Sequence, residues 1–179
     1  MTDMSYVIRP VQSLSELVEV FDLIGAQLEP ARIRANHGLA ELVALFPEHR
    51  ALMILAENDG RIVGGAYAGP QGTMAVALVP EARGQGLGTR LVQRLEEGAA
   101  WLGLPALEAD HLTDRTREFY LRLGYHGRGS TMRRELSAAA TRRTTFDWRY
   151  DLAALRARSQ QRAAAVARLR ATPLGAVRP

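Results

Sequence analysis

Apolar positions along the chain change period several times, and each change marks an element. Tyr6 to Arg9 reads as a short first strand stopped by Pro10. Ser13-Leu14-Ser15-Glu16 has the spacing of a capping box, in which the Ser and Glu satisfy each other's orphan amides. Leu14, Leu17, Val18, Phe21 and Ile24 then recur at helical intervals, up to Pro30. A second, less regular helical stretch carries Ile33, His37, Ala40 and Val43 on one side and runs to about Pro47. Strands follow at Ala51 to Glu57 and Arg61 to Ala68, around the hairpin signal Asn58-Asp59-Gly60. Gly69-Pro70-Gln71-Gly72 turns the chain into a further strand, Thr73 to Val79. Beyond Pro80 and a glycine-rich segment, Leu87, Leu91, Val92, Leu95 and Leu102 form the apolar stripe of a helix that Gly103 and Pro105 stop. Pro105 to Glu108 starts a fifth strand. Thr113 caps a helix through Leu123, which Gly124 closes, and the strands Tyr125 to Arg128 and Thr131 to Leu136 pair around Gly129-Ser130. The expected fold is mixed α/β (an α+β mixed sheet) in the order β-α-α-β-β-β-α-β-α-β-β, followed by a C-terminal helical extension.

Charge divides the chain at the same place. Residues 1–137 hold 14 Arg against 17 acidic residues, a net of −3, whereas residues 138–179 hold 9 Arg against 2 Asp, a net of +7. The pI near 10 thus belongs to the tail, and a nucleic-acid reading of the whole chain loses its force. Two units are expected, a domain at 1–137 and an Arg-rich extension at 138–179. Within the extension Trp148, Leu152, Leu155, Ala163, Val166 and Leu169 predict one helix over about 146–171. Its apolar stripe and positive charge suit docking on the net-negative core of the same or a partner subunit, with a homodimer as one outcome.

Composition removes several chemistries. All 23 basic residues are arginine, so a P-loop, a Schiff base and a Ser-Lys dyad are excluded. Cysteine is absent, which excludes disulfides, thiolate metal sites and a Cys nucleophile. His37, His49, His111 and His126 show no pair at metal-ligand spacing, so no metal is expected. Apolar runs such as Ala51 to Ala56 fall far short of the ~20 residues that span a bilayer, and Met1 to Tyr6 lacks a signal-peptide pattern. The expected setting is cytoplasmic, away from membranes.

The chemistry-bearing stretch is Leu78-Val79-Pro80-Glu81-Ala82-Arg83-Gly84-Gln85-Gly86-Leu87-Gly88-Thr89. A strand enters a turn with three glycines, and the turn opens a helix. Glycines let backbone N–H groups close on a ligand, and a helix N-terminus adds about half a positive charge. That is an anion site suited to phosphate or diphosphate, with Arg83 as a further donor. Three readings meet here: a tight turn and no more, a Rossmann dinucleotide site, or a coenzyme A diphosphate site. Against the second, Thr89 stands at the third-glycine position and a strand meander precedes the loop.

For the third, Arg83-Gly84-Gln85-Gly86-Leu87-Gly88 resembles the Arg/Gln-x-x-Gly-x-Gly/Ala signature of the GNAT family of N-acetyltransferases. Phe119-Tyr120-Leu121-Arg122-Leu123-Gly124-Tyr125 resembles that family's Phe-Tyr-x-x-x-Gly-Phe segment, and Ile8-Arg9-Pro10 is a weaker third match. The order of elements over residues 6 to 136 is similar as well. The resemblance implies acetyl-CoA as cosubstrate and direct transfer of acetyl to an amine of a small molecule or peptide. By the same resemblance Leu78 and Val79 offer backbone groups to the pantetheine arm. The amides of Gln85, Gly86, Gly88 and Thr89 hold the diphosphate with Arg83 and Gly84, and Tyr120 protonates the departing thiolate.

The sequence departs from that family at Thr113 and Thr116, where Asn and Ala are usual, and Thr73 to Val79 carries no carboxylate to act as base. A primary amine with a pKa near 10.4 is only roughly 0.04% neutral at pH 7, so its proton needs an acceptor. Glu108, Asp110 and His111 at the end of the fifth strand, or a chain of waters, are the candidates. Glu29, Arg32, Arg34 and His37 are expected near the acceptor and carry both signs of charge. The other reading kept open is a non-catalytic coenzyme A-binding regulatory module whose basic tail contacts nucleic acid.

Overall fold

The computed structural model describes residues 6–27 and 52–137. The second predicted helix, the acceptor-side residues Glu29, Arg32, Arg34 and His37, and the whole extension from 138 onward lie outside the described residues. Strand β1 (Val7–Pro10) leads to helix α1 (Leu14–Gln27), and then to strands β2 (Leu52–Asn58), β3 (Arg61–Ala68) and β4 (Met74–Leu78). A single 3-10 turn (Pro80–Ala82) carries the chain into α2 (Leu87–Trp101), followed by β5 (Ala106–Ala109), α3 (Asp114–Arg122) and β6 (Met132–Glu135).

Local chemistry accounts for these boundaries. Half of the capping box forms, with Glu16 N–H donating to Ser13 Oγ at 3.2 Å, while the Glu16 carboxylate reaches one residue further back and accepts from Gln12 N–H at 2.7 Å. The β2–β3 hairpin turns through Asp59 (φ 50°) and Gly60 (φ 76°), the left-handed pair that a two-residue hairpin loop requires. Pro10 sits inside β1 rather than beyond it, which an edge strand tolerates because one side of its ladder needs no donor.

Strands β1 to β4 form one antiparallel sheet in sequence order, and β5 pairs antiparallel with β6 in a second. The two sheets meet at one parallel bridge, Thr73 with Glu108, where Glu108 N–H donates to Gly72 O at 2.9 Å. A Cβ on Gly72 would strike the Ala106 carbonyl, so this close approach requires glycine. Past the bridge β4 and β5 make no further pairing among the described residues, which leaves the sheet open in a gap beside Val76 and Leu78, and His111 follows β5 at φ 52°.

Each face has its own core. Leu17, Val20 and Ile24 of α1 pack on Met53, Leu55, Tyr67, Ala75 and Ala77. On the other face Leu87, Leu91, Val92, Leu95 and Ala99 of α2 join Met74, Leu107, Ala109, Tyr120 and Tyr125. The final hairpin is shorter than its sequence predicts. Tyr125 N–H is taken by Tyr120 O at 3.0 Å, and a Cβ on Gly127 would run into the Thr131 carbonyl. Of the predicted strand Tyr125 to Arg128, only His126 pairs, bridging Arg133.

Candidate active site

Antiparallel register decides which backbone groups of β4 reach the gap. Val79 N–H donates to Val63 O at 2.9 Å, so by alternation Ala75, Ala77 and Val79 direct their amides toward β3. Val76 and Leu78 direct theirs outward, into the gap. Leu78 therefore turns its N–H outward, whereas Val79 spends its N–H inside the sheet. Val76 replaces it along the open edge. The difference follows from a one-residue alternation that no motif reveals.

Beyond Leu78 the chain enters the glycine loop. Gly84 (φ 77°) and Gly86 (φ 75°) both adopt the left-handed conformation, and Gly86 is the N-cap of α2. No side chain caps this helix, and its first main-chain bond runs from Arg90 N–H to Gly86 O at 3.1 Å. The amides of Leu87, Gly88 and Thr89 precede that bond, as the first turn of any helix leaves them. A Cβ on Gly84 or Gly86 would meet nothing within 4 Å, so the loop presents open backbone. The residues present thus fit an anionic group. Gln85 does not turn its side chain into this opening: Tyr6 Oη donates to its Oε1 at 2.9 Å, and its Nε2 donates to Glu81 O at 3.1 Å. Arg83 is turned back as well. Its Nε and Nη2 donate to Leu78 O, both at 3.1 Å, and Nη2 donates to Gln27 Oε1 at 2.6 Å.

Helix α3 brings the second motif against the first. Thr113 caps it through Oγ1, accepting from Thr116 N–H at 3.4 Å, so the Thr hydroxyl takes the capping role. A Cβ on Gly88 would lie 3.5 Å from Phe119 Cζ and 3.7 Å from a Leu78 Cδ, which locates Phe119 across the gap from β4. At its other end α3 closes on Gly124 (φ 83°), with Tyr125 N–H bonded to Tyr120 O and Gly124 N–H to Leu121 O, each at 3.0 Å. This Schellman closure makes Tyr120 and Tyr125 its paired apolar positions. Their rings meet edge to face at 5.2 Å and 66°, and Phe119 meets Tyr120 at 5.1 Å and 72°. Tyr120 is 3% exposed, more deeply set than a surface aromatic.

The three base candidates separate. Leu107 and Ala109 belong to the α2 face, so the intervening Glu108 projects to the α1 face, as do Ala75 and Ala77. Its carboxylate lies 3.8 Å from Arg133 Nη1. Asp110 Oδ1 accepts from Thr131 Oγ1 at 2.8 Å and is thereby tied to the final hairpin. His111 is exposed at the turn that follows β5.

Sequence reasoning passed over Glu96. Its side chain is 13% exposed, and its Oε1 accepts from Arg134 Nη1 at 3.2 Å. Burial pushes its carboxyl above the usual range, against the pull of Arg134 and of a hydrogen bond from Tyr125. A signal was present: Glu96 stands four residues after Val92 and three before Ala99, inside the apolar stripe. Among the described residues no cluster of His, Asp and Glu is assembled to hold a metal ion, and no helix is long and apolar enough to cross a membrane.

A mixed α/β sheet split beside a glycine loop defines the class of protein. Residues 48–127 match the family model of the acetyltransferase (GNAT) domain. Among solved structures it resembles a GNAT-family acetyltransferase from Desulfovibrio desulfuricans, at 18% identity and a TM-score of 0.59, covering 74% of this chain and 100% of that one. A phosphinothricin acetyltransferase from Sinorhizobium meliloti, solved with acetyl-CoA, matches at 19% identity and a TM-score of 0.59, covering 83% of this chain and 97% of that one. The YncA acetyltransferase of Salmonella typhimurium, solved with its cofactor acetyl-CoA, matches at 18% identity and a TM-score of 0.56, covering 74% and 94% of the two chains. No curated protein matches by sequence.

Proposed function

We propose that the protein transfers acetyl from acetyl-CoA to an amine. The observation that carries this is the gap between β4 and β5, with the glycine loop at its mouth, Tyr120 on the α2 face and Glu108 on the α1 face. The reading is further supported by the acetyl-CoA in two similar structures.

Each group has a distinct task. The first-turn amides of α2 with Gly84 and Gly86 hold the diphosphate, where a helix N-terminus favours negative charge. The outward main chain of Val76 and Leu78 lies along the pantetheine arm, and Leu78 N–H polarises the acetyl carbonyl. The amine enters from the α1 face, and Glu108 takes its proton directly or through water. Nitrogen bonds to the acetyl carbon as the C–S bond breaks, and Tyr120 gives its phenolic proton to the sulfur. Acid and base on opposite faces suit attack from one side and departure to the other. No enzyme nucleophile is needed, in keeping with a chain that has no cysteine.

Thiol release from acetyl-CoA over a panel of polyamines, aminoglycosides, amino acids and peptides tests this on the full chain. Release with at least one amine is expected. Calorimetric binding of coenzyme A with no release from any amine would favour the regulatory-module reading, and absence of binding would remove both.

A further inference from the structure

Glu96 occupies a place that stability does not explain. It interrupts the apolar stripe of α2, where leucine would extend the core, and a buried carboxylate costs free energy unless fully paired. Replacing buried ion pairs by apolar residues of similar volume is often neutral or stabilising. What Glu96 does have is a position between three elements that meet behind Tyr120. Arg134 of β6 reaches its Oε1 at 3.2 Å and donates from the same Nη1 to Leu123 O, at the C-terminal end of α3. The Tyr125 hydroxyl donates to Met74 Sδ at 3.5 Å and interacts with the neighbouring Glu96 carboxylate.

Tyr125 in turn contacts Tyr120 twice, through its N–H on Tyr120 O and through its ring edge. A tyrosine ring has two torsions, and Tyr125, 2% exposed, has the first restricted by packing and its far end tied by the hydroxyl. We propose that Glu96 is a positioning residue for Tyr120, fixing through Tyr125 the ring that backs Tyr120 and hence the reach of its hydroxyl. The proposal rests on Tyr120 acting as the acid. It assigns a task to Glu96, Tyr125 and Arg134, which the coenzyme site itself does not use.

The test uses the full chain, acetyl-CoA and the most active amine of the panel above. Glu96→Gln keeps the volume, and Tyr125→Phe removes one hydroxyl. Each is expected to lower kcat about tenfold, since small misplacements of reacting groups carry costs of this order. KM and the calorimetric Kd for coenzyme A should stay within about twofold of the parent. Glu96→Gln added to Tyr120→Phe should cost nothing more, because its effect passes through the missing hydroxyl. Tyrosine labelled with carbon-13 at Cζ gives a readout independent of turnover: Glu96→Gln should move the Tyr120 resonance.

An equal loss of kcat with and without the Tyr120 hydroxyl would overturn the proposal, as would parent kcat with an unmoved Tyr120 resonance. If Glu96→Gln does not fold, Tyr125→Phe carries the same two readouts. If Tyr120→Phe retains parent turnover, the acid reading falls by itself. The resonance then decides whether Glu96 sets the ring: a shift supports that, and no shift overturns it.

Discussion

Tyr120 and Glu108 share no secondary structure, no motif and no face of the sheet, and in the proposed reaction they act from opposite sides of the split between β4 and β5. For Tyr120, removal of the hydroxyl alone separates chemistry from packing, because its ring lies between Phe119 and Tyr125 in both forms. Tyr120→Phe should lower kcat by about 10²–10⁴-fold, the usual share of a general acid, with the Kd for coenzyme A nearly unchanged by calorimetry. Turnover within a factor of two of the parent would leave Tyr120 a core residue only. At this scale the sequence was readable wherever a motif supplied the residue. Tyr120, Gly84, Gly86 and Gly88 all lie along the predicted loop and helix. It was unreadable where register or rotamer decides. Alternation turns the Val79 N–H into the sheet, and the Arg83 guanidinium bonds Leu78 O and Gln27. What separates Glu108 from Asp110 is the bond that ties Asp110 to Thr131, which no pattern in the sequence reveals.

The glycine loop and α2 form the element on which the site depends, and its glycines are not equivalent. Gly86 needs its φ of 75°, a conformation that costs an L-residue roughly 1–2 kcal/mol, and its missing Cβ faces open space. Gly88 is helical, and a methyl there would sit at ordinary contact distance, 3.5 Å from Phe119 and 3.7 Å from Leu78. Gly88→Ala should therefore raise thermal stability by about 1 kcal/mol through helix propensity, with coenzyme affinity within twofold. Gly86→Val should lower both, since branching at Cβ adds strain and occupies the approach proposed for the diphosphate. Paired melting curves and calorimetry distinguish these outcomes, and equal affinities in the two variants would remove the loop from the site. Elements themselves were largely legible, because capping and closure are local: Ser13 with Glu16, Asp59-Gly60, Thr113 and Gly124 each stand where the pattern puts them. The last hairpin was not, because its pairing is limited by a helix cap five residues upstream and by the approach of Gly127 to Thr131 O.

Over the whole molecule, two carboxylates of opposite character shape the response to acid. Burial pushes Glu16 up, but the two Arg9 contacts at 2.8 and 3.1 Å and the Gln12 amide outweigh it and hold its carboxyl below the usual range. A depressed folded-state pKa gives stability that is present above the unfolded value, about 4.3, and is lost as pH falls through the folded one. Glu96 is raised, so its contribution has the reverse sign: it favours the folded state at low pH and is lost as pH rises through its folded value. Thermal melting between pH 7 and 3 should show Glu16→Gln with a shallower acid limb than the parent. It should show Glu96→Gln without the gain on mild acidification. Parallel curves for all three proteins would mean that neither carboxylate is linked to folding.

Charge also bears on how the chain divides. The Arg-rich extension, 138–179, carries +7 against −3 for the rest, and its predicted helix over 146–171 has a stripe holding Trp148, Leu152, Leu155 and Leu169. Leaving such a stripe in water forfeits roughly 1.5–3 kcal/mol per large side chain, so a docked helix on the same or a partner subunit is the expected arrangement. The gap, the glycine loop and Tyr120 all lie within residues 72–125, which the extension does not interrupt. A chain ending at Ser137 should keep the parent affinity for coenzyme A while melting at lower temperature or losing oligomer size by light scattering. The difference between the two chains should grow at low salt, because opposite charges attract more when less screened. If the shortened chain melts and scatters like the parent, the extension has its partner elsewhere. Binding to nucleic acid that falls steeply with salt would then identify that partner.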